Sequence, residues 1–280
     1  MMSPLHFITA LYFALVAIPS AHAEEAPLSP AFVLQAGQWL SISDVAYTKS
    51  DFEPSTTITG LGTIKGSLEA SGLLLRQTLR YGITKQLEVG ISENYSDVDA
   101  DNAARIKFLD GFSNPTFSLR HTWNPIAPVR LQLDGSIRPK TSDHGLRGQA
   151  AAYSLGGRGV FITPNGLTTH LGFMRTMIDG DEANVSRISV GAYKAIGIYS
   201  IELSGSIQQF DSASTRQFLE QDSIRTLRAA VGRKLSDQIW VQLFYQYAVG
   251  DYQPREIAPG INIGMSYDTT MAGASLNLLF

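Results

Sequence analysis

The chain contains no cysteine. It can form no disulfide and offers no thiolate to a metal, which excludes a stapled secreted fold and a zinc–thiolate centre. Charge is scarce, at 17% of residues, and nearly balanced, with a net charge of −3. Nucleic acid is therefore not an expected partner, because it calls for a basic face. Long apolar runs are missing after Ala23, where none approaches the ~18 residues of a membrane helix. Helical periodicity is almost absent. A mean hydropathy near zero excludes a bundle of membrane helices. It leaves a membrane β-barrel open, because lipid-facing and lumen-facing residues alternate in a barrel wall and cancel in the average.

What is present begins with an address. Residues 7–18 read FITALYFALVAI, followed by Pro19, Ser20 and Ala21-His22-Ala23. Small residues at −3 and −1 before Glu24 form a signal-peptidase pattern, although Lys and Arg are missing from the preceding MMSPLH. Residues 1–23 are expected to be a cleaved signal peptide, and residues 24–280 a single outer-membrane domain. An uncleaved anchor or a buried first helix is the alternative.

The mature chain alternates with a period of two. Leu87, Val89 and Ile91 alternate with Glu88, Gly90 and Ser92; Leu131 and Leu133 with Gln132 and Asp134; Val241, Leu243 and Tyr245 with Gln242, Phe244 and Gln246. Each stretch is a ribbon with one apolar and one wet face. Short turn signals at 82–85, 124–128, 163–166, 195–197 and 236–238 alternate with longer polar stretches at 49–66, 97–112, 140–149, 178–184, 210–221 and 250–261. Tight turns on one side and long loops on the other are the outer-membrane pattern. The expected fold is all-β, a transmembrane antiparallel up-and-down β-barrel of about twelve strands, both termini periplasmic. The first strand is expected near 30–47, with Leu40, Ile42 and Ala46 alternating and Asp44 interrupting them. Tyr81, Trp123, Phe161, Tyr193 and Trp240 on the turn side, and Tyr47, Tyr95 and Tyr247 on the loop side, fit interfacial girdles. The chain ends on Leu276, Leu278 and Phe280, one apolar face closed by an aromatic. Such an ending resembles the signal read by the barrel assembly machinery, an expected partner together with outer-membrane lipid and lipopolysaccharide.

If the apolar sets face lipid, the others line a lumen. They contain Arg76, Arg80, Arg120, Arg130, Arg138, Arg158, Arg187 and Arg228, with His170 and the acids Glu88, Asp134 and Glu202. A charge facing lipid at midplane costs about 2–4 kcal/mol, which supports the inward assignment. Two readings of the arginines stand: a positive ladder for anionic solutes, or pairing with the three acids that partly fills the lumen.

Other motifs carry less. Asp97-Val98-Asp99-Ala100-Asp101 starts like a calcium loop, but Asn102 and Phe108 stand where Gly and Glu are needed. It reads as a solvated loop, as does Asp179-Gly180-Asp181-Glu182. Gly60–Gly66 precedes no helix and is no phosphate loop. His121 lies on the apolar set and is the first candidate for a lipid-modifying catalytic residue, but no nucleophile can be placed beside it. No catalytic residue, metal site or cofactor is expected.

Residues 72–139 carry a resemblance. GLLLRQTLRYGITKQLEVGIS and GFSNPTFSLRHTW, with the Arg80-Tyr81-Gly82-Ile83 turn and Gly111 with Asn114-Pro115, resemble the outer-membrane family of meta-pathway phenol-degradation proteins. Asn114 stands where Asp is expected. The resemblance implies a barrel of presumed transporters for hydrophobic or aromatic compounds. The leading expectation is an outer-membrane channel for small-molecule solutes. The alternatives are a closed structural or adhesive barrel and, less favoured, an enzyme.

Overall fold

In the computed structural model, the described residues are 27–101, 107–126, 128–142, 150–180, 184–211 and 220–280. The expected signal peptide and its cleavage site lie outside them. Among the described residues, fourteen antiparallel strands follow in chain order: β1 Trp39–Ile58, β2 Gly62–Lys65, β3 Leu68–Gly82, β4 Leu87–Asp101, β5 Lys107–Phe112, β6 Thr116–Ile126, β7 Val129–Arg138, β8 Ala152–Ile162, β9 Leu167–Ile178, β10 Val185–Ile196, β11 Tyr199–Phe210, β12 Glu220–Ser236, β13 Ile239–Ala258 and β14 Ile261–Leu279. Twelve of them form a closed ring in sequence order, sealed where β1 pairs with β14 from Leu40↔Leu279 to Ile58↔Ile261. The short β2 and β5 only extend hairpins on β1 and β4. The wall is thus the expected twelve-stranded barrel, and its closure leaves no open edge for hydrocarbon to desolvate.

The outer wall exposes Leu119, Leu133, Leu155, Leu171, Val190, Val231 and Leu243. Trp39 and Tyr81 meet at 4.6 Å between ring centroids at the turn end, where Arg233 also lies over Tyr199. Leu276 and Phe280 are exposed on the outer face; the backbone of Phe280 exchanges hydrogen bonds with Trp39 at 2.9 and 3.0 Å.

Three expectations change. The stretches 49–66, 97–112 and 250–261 are largely strand, because β1, β4 and β13 continue as paired ribbons into the loop side. Both faces of such a ribbon are wet there, so apolar alternation fades while backbone pairing persists. Second, residues 30–38 are not strand but a segment inside the barrel. Leu40 and Ile42 face inward with Asp44, and Leu40 packs with Phe32 and Leu34 of that segment. Tyr193 and Trp240 are also buried, on the inward register of β10 and β13, so they are not girdle residues. Third, the outer wall carries a polar row. Ser43 donates to Gln77 at 2.6 Å, and Gln77 donates to Ser41 at 2.9 Å. These outward groups satisfy one another within the sheet.

At the loop rim, Arg175 forms a two-pronged contact with Asp211 and, by hydrogen bonding, holds its carboxyl below the ordinary carboxylate range.

The seam is tightly packed. A Cβ on Gly273 would stand 2.4 Å from the Val45 carbonyl and 2.6 Å from the Phe244 ring, whereas one on Gly135 meets nothing closer than 3.9 Å. Gly273→Val is expected to destabilise the barrel by about 1–3 kcal/mol through overpacking, and Gly135→Val to have little effect. Heat-modifiable gel migration of the two variants against temperature checks this: equal behaviour would refute the tight seam.

Candidate functional site: the barrel interior

The interior is built by strand parity. Inward positions on β3 through β12 place Arg76, Arg80, Arg120, Asp134, Arg158, His170, Arg187, Glu202 and Arg228 on one cavity of about 740 Å³. Glu88 borders an adjoining space with Arg80 and Arg120. Arg138 lines a smaller one with Arg187. Arg130 points to the turn-side mouth. Asp44 joins the set, and sequence reasoning missed it. The signal was available: Asp44 shares parity with Leu40, Ile42 and Ala46. That set looked like a lipid face only because it is apolar.

Each of the three anticipated acids has an arginine. Glu88, 1% exposed, pairs with Arg80 and also accepts from the Leu34 amide at 2.9 Å. Asp134 accepts from Arg120 Nε at 2.6 Å. Glu202 accepts from Arg228 at 3.0 Å and from Gln242 at 3.1 Å; Gln242 in turn accepts from Arg228 at 3.1 Å. Arg228 also lies 4.8 Å from the Phe244 ring centroid. Such charge-assisted networks survive in a confined space because every member is satisfied. These three arginines are paired, and among the described residues no ion pair engages Arg76, Arg158 or Arg187.

The remainder face the cavity differently. Arg76 stands across from Asp44 in the β1–β3 register, and no ion pair joins them among the described residues. The Nε of Arg158 and Nδ1 of His170 are buried without a hydrogen-bond partner. His170 occupies the space above Gly191, where a Cβ would meet its ring at 2.4 Å. Arg187 lies against the Gln208 amide, whose oxygen accepts from the guanidinium in the orientation that satisfies both groups.

The turn-side mouth is crossed by residues 27–38. Leu28 lies against Gly232 on β12, where a Cβ would come within 2.6 Å of it. Gln132 donates to the Pro30 carbonyl at 3.2 Å and Arg130 to that of Ala31, both from β7. Leu34 reaches Glu88 on β4, and Gly37 donates to Gly82 at 2.8 Å. A Cβ at Gly82 would stand 2.2 Å from the Gln35 carbonyl, so this close approach needs glycine. No sequence periodicity announces this segment, because its partners come from strands far away in the chain.

His121 faces outward, its register neighbours being Leu87 and Leu133, so neither adjacent strand places a nucleophile or acid opposite it. Asp97 to Asp101 lie in β4, while Asp181 and Glu182 are outside the described residues. Among the described residues no group of histidines and acids is arranged to hold a metal.

A scan against family models finds no match, and a search of curated proteins finds no relative. Solved structures do match. An outer membrane channel from Pseudomonas putida F1 superposes with a TM-score of 0.61 at 12% identity, over 92% of this chain and 100% of that one. The NanC porin superposes with a TM-score of 0.51 at 8% identity, over 81% and 98%. The fold is that of outer-membrane β-barrels.

Proposed function

We propose that the protein is an outer-membrane channel for passive movement of small solutes, with an interior that favours anions. The observation that carries this reading is the charge left over inside. After Glu88, Asp134 and Glu202 are engaged, Arg76, Arg158 and Arg187 still face one cavity, and no ion pair engages Asp44 among the described residues. A guanidinium without a counter-ion needs water, so this part of the interior must be wet. Positive potential focused between low-dielectric walls raises the local anion concentration. The fold shared with an outer membrane channel supports the reading.

A second reading, a closed barrel with a structural role, is favoured by one feature: the segment Pro27–Gln38 lies across the turn-side mouth. The two readings differ in whether ions pass. In planar bilayers the protein is expected to give small conductance steps whose reversal potential in a salt gradient favours chloride. No steps, or clear cation preference, would refute the anion-favouring channel. Arg158→Glu is expected to move the reversal potential toward cation preference, because it reverses an unpaired charge in the path. Deleting residues 27–36 is expected to enlarge the steps severalfold; unchanged steps would show that the segment does not limit the path.

A further inference from the structure

Two of the unpaired arginines come from opposite walls. In the ring, β3 and β10 are six strands apart in either direction, which makes Arg76 and Arg187 diametrically opposed. Both line the same cavity. Asp44 stands beside Arg76 without an ion pair among the described residues, and an anion lying between the two arginines would offset their mutual repulsion. The walls around Arg187 are not uniformly polar. One register row runs across four strands: Met174 on β9, Arg187 on β10, Gln208 on β11 and Ile224 on β12. An apolar side chain thus stands at each end of a cation–amide pair, and all four line the central cavity. Opposite Met174 on β8 is Gly156, which adds no side chain to the space.

We propose that this row and Arg76 form a discrete binding site for a small carboxylate that carries a short apolar body. The carboxylate lies between the Arg76 and Arg187 guanidinium groups, whose planar forks suit its two oxygens. The body rests on Met174 and Ile224, and the Gln208 amide holds Arg187 in place. On the loop side, Phe52, Tyr252 and Tyr267 share inward positions. Tyr267 lies 5.6 Å from the Phe52 ring and 6.0 Å from the Tyr252 ring, which gives the cavity an aromatic approach suited to the same body. The site rests on the reading of the interior as a solute path, and it deepens that reading by naming what pauses there.

Equilibrium titration of the detergent-solubilised, full-length protein tests the site without requiring conduction. Benzoate serves as the anionic probe and benzamide as its neutral counterpart. Benzoate is expected to bind saturably and at least about tenfold more tightly than benzamide, the loss expected when a charge-assisted contact is removed. Arg76→Gln and Arg187→Gln are each expected to weaken benzoate by a similar factor, whereas Arg187→Lys, which keeps the charge, retains part of the affinity. Equal binding of the two probes, no benzoate binding to folded protein, or glutamine variants that bind benzoate like the unmodified protein would each overturn the proposal. If the variants do not fold, as judged by heat-modifiable migration, the probe comparison on the unmodified protein still decides. Benzoate binding without any bilayer current would remove the channel and leave the site. Current without benzoate binding would remove the site and leave the channel.

Discussion

The pairing of β1 with β14 is the constraint on which the rest depends. Hydrocarbon offers backbone amides no partner, so a sheet that crosses it must close on itself. Closure then separates two solvents. Each strand has an outward face that meets acyl chains and an inward face that meets whatever fills the lumen, and the pleat assigns residues to one or the other by parity. The interior arginines are a consequence of this geometry: a charged side chain in a closed wall has one inexpensive direction.

What fills the lumen is not the same along its length. Near the turns it is protein. Phe32 and Leu34 of the segment before β1 pack with Leu40, and Ile42 and Leu279 pack against that cluster. There the inward face is partly apolar, with buried polar groups such as Glu88 and Gln132 beside it. Farther toward the loops charge lines the cavity: three arginine–acid pairs stand on the wall, and among the described residues no ion pair engages Arg76, Arg158 or Arg187. Glu88 joins the two regimes, because one carboxylate engages both Arg80 and the Leu34 amide. The position of the crossing segment is thereby coupled to the electrostatics of the wall.

The outer face also departs from simple two-sided patterning. Ser41, Ser43 and Gln77 face outward and bond to one another, so polarity alone does not mark a lumen residue. A polar group can stand outside if its hydrogen bonds close within the sheet. The unpaired inner arginines lack that option, because a full charge is not satisfied by neighbouring hydroxyls and amides alone.

Strand number and ring closure were legible in the chain, because period-two alternation and tight turns record the two solvents one strand at a time. The identity of the lumen's filling was not. Leu40, Ile42 and Ala46 looked like a lipid face since local pattern reports only that a residue avoids water, not whether lipid or a folded-back segment shields it. Pairing of Arg80 with Glu88, Arg120 with Asp134 and Arg228 with Glu202, and the opposition of Arg76 to Arg187, were decided by register and closure alone. Alternation is a property of neighbours in the chain, whereas a partner across the barrel is set by which strands the ring brings face to face.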